Sequence, residues 1–291
     1  MMGTRAPPPN CSELDLAENG WRQKNHSAVA KLELPKFENP YDFCIENPLH
    51  GKLWQIQKFQ RFVGRVDVQF ASTSYCKYNC SYRKNTGFLT SVLEFSPFLV
   101  CSKTASCQRY QQHDELPVDQ ASRNSIPEGL VLELIDAWVR KKKCEGFKVF
   151  LIIDVFAGYN SISKAADLHN KTSNDNVVVY RNDIVSTRGG NMDLDMRVFE
   201  LNDILMFALL NLFLEMPYDL ADIKGDVKQF LLNESIAVLF HLSTPCETYS
   251  VAGGASHRLR GSAEAQSRLA VAHDDMNSKI VDWIFLNILD E

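Results

Sequence analysis

The stretch KVFLIIDVFAGYNS, residues 148–161, joins an apolar run to a carboxylate and a turn of small residues. The run Lys148–Asp154 predicts a buried strand, and the residues after Ser161 have the pattern of a helix. A strand, a small-residue turn and a helix in this order are typical of nucleotide-binding α/β units, whose turn lets backbone N–H groups approach a ligand. The stretch therefore predicts an α/β fold with a ligand site at the carboxyl end of this strand.

Shorter runs predict the other elements. Five further apolar runs favour strands, and two longer segments have the spacing of helices. The first helix begins at Ser125-Ile126-Pro127-Glu128, which supplies a capping residue and a proline near the first turn. The predicted strands are Tyr41–Glu46, Val66–Phe70, Gly87–Leu93, Asn176–Tyr180 and Ile236–Leu242, and the predicted helices are Pro127–Lys143 and Ala263–Leu289.

With 291 residues, 45% of them hydrophobic, the chain is long enough for one large domain or two small ones. Residues 1–30 carry a proline run without periodicity and predict a flexible N-terminal tail. No stretch approaches the roughly 18 consecutive apolar residues of a membrane span, and the N-terminus lacks the apolar core of a signal peptide. We expect an intracellular protein, cytoplasmic or nuclear, without a membrane partner.

The eight cysteines are spread from Cys11 to Cys246, unlike the dense spacing of a small secreted disulfide scaffold. Free thiols, metal ligands or a nucleophile are the roles that we expect. The net charge of −5 argues against a generally basic surface. It neither supports nor excludes a nucleic-acid partner, which needs only one positive groove.

Cys246 stands in the run STPCETYS, residues 243–250, after the strand predicted at Ile236–Leu242. Open parallel sheets place their ligands beyond the carboxyl ends of strands, where a nucleophile is useful. A thiolate attacks best where a helix N-terminus or a cation lowers its pKa. From this run alone, a catalytic nucleophile and a buried structural cysteine are equally good interpretations.

Two polar motifs in the first half border predicted strands. The run CIENPLHGKLW, residues 44–54, places Glu46 at the end of a strand, whereas a near copy at residues 37–40 ends none. In isolation, Glu-Asn-Pro is usually just a turn. The run YCKYNCSYRKNT, residues 75–86, sets Arg83 and Lys84 among aromatic residues, which suits contact with a phosphate or a base edge, or simply a solvated turn.

Together these segments resemble the bacteriophage-type DNA cytosine-5 methyltransferases. That family carries ENP-x-x-G-x-L, Y-C-x-Y-G-x-x-Y-R-K-x-T, a spaced pair of cysteines with a histidine, and R-x-x-I-P-x-x-L. Similar residues stand here at 46–53, at 75–86, at 101, 107 and 113, and at 123–130. The family's cofactor turn and catalytic loop are similar to Asp154–Gly158 and Thr244–Ser250. The resemblance spans most of the chain after residue 37.

The order of the segments differs from that of the family. There the cofactor turn comes first, then the cysteine loop and then the ENP strand. Here the ENP half, residues 31–145, precedes the cofactor-binding and catalytic-cysteine half, residues 146–291. The resemblance therefore implies a single circularly permuted domain over residues 31–291 with a Rossmann-like class I methyltransferase fold, in which a mostly parallel sheet has helices on both faces.

The resemblance implies an enzyme that transfers a methyl group from S-adenosyl-L-methionine to C5 of cytosine, with DNA as its partner. Cys246 would add to C6 of the base, Glu46 would contact N3, and Arg83 would steady the ring or its phosphate. In a duplex the target nucleotide would be flipped out of the base stack. Cys246 and Glu46 must then face one pocket at the same edge of the sheet.

The same resemblance assigns residues to the cofactor. The turn after the first strand of the second half would approach its methionine portion, and two later carboxylates would lie near its ribose and its adenine. A solvated carboxylate is the alternative for each of these two. The turn residues are Asp154, Phe156, Ala157 and Gly158, the ribose candidate is Asp183, and the adenine candidate is Asp226.

Three residues depart from the family pattern. Asn160 stands for the second glycine of the cofactor turn, Thr244 for the first proline of Pro-Pro-Cys, and Asn79 for a glycine. Asparagine is the least costly replacement for glycine where a left-handed backbone is required. The departures leave an alternative function open: a catalytically inactive methyltransferase-fold module that binds nucleic acid or another protein.

Soft ligands in the first half raise the question of a metal. Cys76, Cys101, Cys107 and His113 are the candidates for a four-coordinate structural zinc. However, no pair of cysteines there has the two-residue gap of a standard zinc ribbon. We expect unligated thiols and no metal, with structural zinc as the alternative.

Overall fold

The computed structural model describes residues 39–101, 113–117, 125–156, 160–183, 195–196, 199–213, 226–243, 249, 257–259 and 262–289. The predicted N-terminal tail, residues 1–30, lies outside the described residues.

Six strands form one mixed sheet. They are β1 (Tyr41–Pro48), β2 (Gln69–Ser74), β3 (Asn85–Thr90), β4 (Val149–Asp154), β5 (Val177–Arg181) and β6 (Ile236–Ser243). Their order across the sheet is β2-β3-β1-β6-β4-β5. The last four strands of this order run parallel to one another, and β3 is antiparallel to both of its neighbours. The fold is therefore α/β with a mostly parallel sheet.

Six helices of the described residues accompany the sheet. They are α1 (Gln57–Gln60), α2 (Glu128–Cys144), α3 (Ser161–Thr172), α4 (Leu201–Phe213), α5 (Val227–Asn233) and α6 (Arg268–Asn287), together with 3₁₀ turns at Lys52–Gln55 and Tyr75–Tyr78. None of the described helices is both long and apolar enough to cross a membrane.

The central strands are buried on both faces because apolar residues point alternately to opposite sides. On β1, Phe43 and Ile45 pack in one core with residues of α1, α4, α5 and α6. Cys44 packs on the other face, in a core that contains Trp138 of α2 and Ala165 of α3. Helices therefore cover both faces of the sheet, as the sequence predicts.

The strand order reverses between β4 and β6. The chain passes from β4 through α3 to β5, its neighbour on one side, and the next strand, β6, lies on the other side of β4. Open α/β sheets bind ligands in the crevice that such a reversal creates at the carboxyl ends of the strands. The crevice between β4 and β6 is therefore the expected ligand position.

Most predicted elements are confirmed with shifted ends, but β2 is displaced. The sequence predicts Val66–Phe70, whereas the strand is Gln69–Ser74, and Val66 is 92% exposed. Pairing with β3, from Gln69 opposite Thr90 to Ser74 opposite Asn85, determines the position of this edge strand. The predicted serine cap of α2 is also wrong, because Pro127 occupies the N-cap position and no side chain caps the helix.

Asp42 anchors α2 to the beginning of β1. Its buried carboxylate lies 2.8 Å from Nζ of Lys141 and 3.0 Å from Nζ of Lys142, and it accepts a hydrogen bond from Ser91. Burial by itself would raise the pKa of Asp42, but the charges of Lys142 and Lys141 and the hydrogen bonds outweigh it and hold that pKa below its ordinary value. A buried ion pair therefore connects the helix to the strand.

We expect Asp42→Asn to lower the free energy of unfolding near neutral pH by about 3 kcal/mol, because Lys142 stays buried without its full countercharge. A carboxyl group whose pKa is lowered by folding stabilises the protein above its unfolded pKa of about 3.9. That contribution is lost as the pH falls through the folded pKa. Urea denaturation should therefore show a smaller difference between wild type and variant at about pH 3 than at about pH 7.

Lys143→Ala is the control for this substitution. Lys143 pairs with Asp175 at 2.7 Å, but its side chain is about half exposed. An exposed pair contributes about 1 kcal/mol or less. A loss for Asp42→Asn no larger than that of Lys143→Ala would contradict the assignment of Asp42 as a buried anchor.

Candidate functional site

Polar side chains gather at the carboxyl edge of the parallel strands. Glu46 of β1 lies opposite Ser243 of β6, and Asp154 of β4 lies opposite His241 of β6. By the alternation of the strands, these four residues share the face of the sheet that carries α2 and α3. The edge therefore brings together residues from the two halves of the chain.

Glu46 is buried, with 6% of its surface exposed. Its Oε2 accepts a hydrogen bond from Oγ of Ser243 at 3.1 Å, and its Oε1 lies 3.4 Å from the hydroxyl of Tyr75, which donates to it. Burial raises the pKa of Tyr75 well above its ordinary value, and the charge of Glu46 adds to this effect. Tyr75 therefore remains a protonated donor that orients the carboxyl group.

Tyr75 and Ser243 are site residues that the sequence does not single out. Tyr75 opens the motif of residues 75–86, from which the sequence selects Arg83, Lys84 and Cys76 but not Tyr75, and Ser243 is the last residue of β6. The available signal was their position at the border of a predicted strand. Their partner is far away in the sequence, so the contact itself has no local signature.

Arg83 lies at the same edge of the sheet as Glu46. It precedes β3, whose first part pairs with the end of β1, with Thr86 opposite Pro48. Arg83 is partly exposed, and Nζ of the adjacent Lys84 lies 4.8 Å from the centre of the Tyr75 ring. Within the described residues Arg83 forms no bond with Glu46. Arg83 and Lys84 nevertheless both place positive charge at this edge.

Cys246 lies outside the described residues, but residues on both sides of it are described. Ser243 bonds to Glu46, as stated above. Tyr249 is buried, and its backbone carbonyl accepts a hydrogen bond from the backbone N–H of Lys52 at 2.8 Å. The hydroxyl of Tyr249 also donates to Asp274 of α6. Ser243 and Tyr249, which lie on either side of Cys246 in the sequence, are therefore bound to the segment that begins at Glu46.

The cofactor candidates divide into two groups. Asp154 is buried and its Oδ1 lies 2.9 Å from Nδ1 of His241, Phe156 packs at the margin of one core, and Asp183 is buried just after β5. These three lie at the carboxyl edge. Ala157 and Gly158 lie outside the described residues.

Asp226 has a structural role in the described part of the chain. It is exposed and caps α5, where its Oδ1 accepts a hydrogen bond from the backbone N–H of Gln229 at 3.0 Å. Burial raises the pKa of Tyr41, at the beginning of β1, and the charge of Asp226 adds to that shift. Its proposed contact with adenine stays a prediction.

Both asparagines that stand for glycine adopt the left-handed conformation. Asn160 has φ 64° and ψ 26°, and Asn79 has φ 70° and ψ 9°. The side-chain oxygen of Asn160 accepts a hydrogen bond from Arg181 at the end of β5. Both positions therefore have a left-handed backbone, which favours glycine, and asparagine tolerates it better than most residues.

Cys76, Cys101 and His113 come together. One ligand atom from each lies within 4.8 Å of the others, and Sγ of Cys101 is 3.7 Å from Nε2 of His113. Cys76 and Cys101 are buried. The fourth candidate ligand, Cys107, lies outside the described residues.

No protein-family model and no curated protein matches the chain. The residues at the carboxyl edge, and the topology that assembles them, are therefore the basis for a proposed function.

The left-handed backbone at Asn160 leads to a test by substitution. Asn160→Ala and Asn160→Gly both remove the contact with Arg181. The difference between their free energies of unfolding therefore isolates the effect of the left-handed backbone. We expect the alanine variant to be less stable than the glycine variant by about 1 kcal/mol in urea denaturation.

The same pair of substitutions at Asp167, an exposed residue in the middle of α3, is the matched control. There glycine should be the less stable variant by about 1 kcal/mol, because alanine is the better helix former. If the alanine variant were more stable than the glycine variant at both positions, a left-handed conformation at Asn160 would be contradicted.

Proposed function

We propose that this protein is an S-adenosyl-L-methionine-dependent enzyme that methylates C5 of cytosine in DNA, with Cys246 as the nucleophile and Glu46 as the group that contacts N3 of the base. The observation that carries the proposal is the attachment of the Cys246 run to the Glu46 segment at both ends, through Ser243 and Tyr249.

The length of the run supports this pairing of Cys246 with Glu46. Cys246 is three residues from Ser243 and three from Tyr249. Three peptide units span at most roughly 11 Å. This upper limit on the distance from Ser243 and Tyr249 is compatible with the proposed pairing of Cys246 with Glu46, although about two hundred residues separate them in sequence.

The strand order supports a Rossmann-like fold in permuted form. If β4 is counted as the first strand, the order β5-β4-β6-β1 matches positions 2-1-4-5 of a doubly wound sheet, and no strand of the described residues occupies position 3. On this count the described part of the chain starts at the fifth position. Catalysis is unaffected by such a permutation because it depends on the spatial order of residues.

The two ends of the proposed permutation are close together. Nδ2 of Asn39, just before β1, donates a hydrogen bond to the carbonyl of Ile288, just after α6, at 2.7 Å. In an unpermuted chain α6 would lead directly into β1 at this point. Permutation is tolerated where the two segments that it separates lie side by side.

The residues at the crevice between β4 and β6 fit the proposed cofactor. Asp183 supplies a buried carboxylate for ribose hydroxyls, Phe156 supplies an aromatic side chain, and Asn160 preserves the backbone conformation of the glycine. With Asp154, Ala157 and Gly158, these residues would hold S-adenosyl-L-methionine, which supplies an electrophilic methyl group.

The proposed chemistry makes cytosine nucleophilic at C5. The thiolate of Cys246 would form a bond to C6 and electron density would move to C5, which would take the methyl group that S-adenosyl-L-methionine supplies, with S-adenosylhomocysteine as the leaving group. Loss of the C5 proton then expels the thiolate and restores the ring. Glu46 hydrogen bonds to N3 and stabilises the adduct, and Tyr75 and Ser243 are positioning residues for its carboxyl group.

DNA is the proposed partner, and Arg83 and Lys84 are the proposed contacts to it. They lie at the same edge as Glu46 and carry positive charge, which suits a phosphate near a flipped nucleotide. Because the net charge of the chain is −5, only a local basic surface could make such a contact.

Covalent trapping tests the nucleophile. DNA that contains 5-fluorocytosine has no C5 proton to lose, so an adduct with Cys246 would persist. We expect wild-type protein with S-adenosyl-L-methionine to form an adduct that survives denaturing electrophoresis, and we expect Cys246→Ser to form none. Cys80→Ser, which removes a different thiol, should behave as wild type.

Failure of the wild-type protein to form an adduct on cytosine-rich duplexes would overturn the proposal. An adduct that survives Cys246→Ser would do the same. Binding of DNA or S-adenosylhomocysteine without any adduct would instead favour the catalytically inactive module.

Transfer of a radioactive methyl group tests Glu46. We expect Glu46→Gln to reduce the rate about 10²-fold or more, because the carboxyl group acts on the reacting base. Tyr75→Phe should reduce it by less than about tenfold, since only one of two donors to Glu46 is lost. Binding of S-adenosylhomocysteine, measured by calorimetry, should be unchanged in both variants, and full activity of Glu46→Gln would contradict its role.

A further inference from the structure

We infer that Cys76, Cys101 and His113 bind a structural Zn²⁺ ion that holds the segment carrying Tyr75. The three residues come from different parts of the chain, and one ligand atom from each lies within 4.8 Å of the other two. The inference does not depend on methyl transfer, because it rests on this cluster alone.

The distance between two of the ligand atoms fits a tetrahedral ion. Zn–S bonds of about 2.3 Å and Zn–N bonds of about 2.0–2.1 Å place neighbouring tetrahedral ligands about 3.6 Å apart. Sγ of Cys101 and Nε2 of His113 are 3.7 Å apart. A thiol–imidazole hydrogen bond would explain this single distance, but it would not explain why a second thiol, that of Cys76, converges on the same point.

Other cysteines of the chain show different environments. Cys44 is buried among the apolar residues of a core, and burial raises the pKa of its thiol. Cys80 is half-buried and hydrogen bonds to Tyr82. Cys76 and Cys101, which are 0% and 4% exposed, form a cluster separate from both apolar cores.

The ligand chemistry selects zinc. Thiolate sulfur and imidazole nitrogen suit Zn²⁺, whereas Mg²⁺ and Ca²⁺ require oxygen ligands. The three protein ligands leave the fourth position of a tetrahedral ion to solvent.

The position of the cluster indicates a structural role. Cys76 directly follows Tyr75, whose hydroxyl donates to Glu46. The backbone N–H of Cys101 donates to Ser74 at 2.9 Å, and that of Asp114, next to His113, donates to the carbonyl of Ser81 at 3.0 Å. An ion between these segments would fix the turn that presents Tyr75.

Metal analysis of the purified full-length protein tests the inference. We expect about one equivalent of zinc in wild type, and less than about 0.2 in Cys76→Ser, Cys101→Ser and His113→Ala. Cys80→Ser is the matched control, since it removes a nearby thiol outside the cluster, and it should retain the metal. Wild-type protein that carries no zinc and binds none when Zn²⁺ is added would overturn the inference.

A second measurement uses wild type alone, in case the variants do not fold. Removal of the metal with a chelator should lower Tm by at least about 5 °C, and addition of Zn²⁺ should restore it. Retention of Tm after complete removal of zinc would overturn the structural role. Mass spectrometry that finds a disulfide between Cys76 and Cys101 in freshly purified protein would overturn the site itself.

Discussion

Parallel pairing between β1 and β6 is the contact on which the rest of the structure depends. It runs from Tyr41 opposite Val238 to Glu46 opposite Ser243 and joins the two halves of the chain in the middle of the sheet. Both strands are buried along nearly their whole length. Because side chains alternate between faces, a shift of one residue would turn Glu46 away from Ser243 and place Phe43 and Ile45 on the wrong face.

The interiors of these strands are apolar, and apart from Asp42 at the beginning of β1 their polar residues lie near the carboxyl ends. Buried polar groups are costly unless they are hydrogen-bonded, and at this edge Glu46 bonds to Ser243 and Tyr75 while Asp154 bonds to His241. A site built on strand ends inherits the rigidity of the sheet. That rigidity suits the proposed role of Glu46, which is to contact a flipped base at a defined distance.

The sequence predicts those elements whose pattern is local. The buried strands β1, β4 and β6 and the helices α2 and α6 follow from apolar runs and helical spacing. The edge strand β2 is misplaced because its register depends on β3, and α4 and α5 are not predicted. Within the candidate site, Glu46 and Arg83 follow from motifs, whereas Tyr75 and Ser243 do not, because their importance lies in a contact with a distant residue.

The sequence by itself determined the α/β class, the buried strands and the polar residues at their ends, because each of these depends on neighbours within a few positions. Only the tertiary structure decided that β6 lies beside β1 and that Tyr249 binds Lys52. The same holds for the convergence of Cys76, Cys101 and His113. Strand order and loop contacts result from packing between segments far apart in the chain, and no local pattern records which segments will meet.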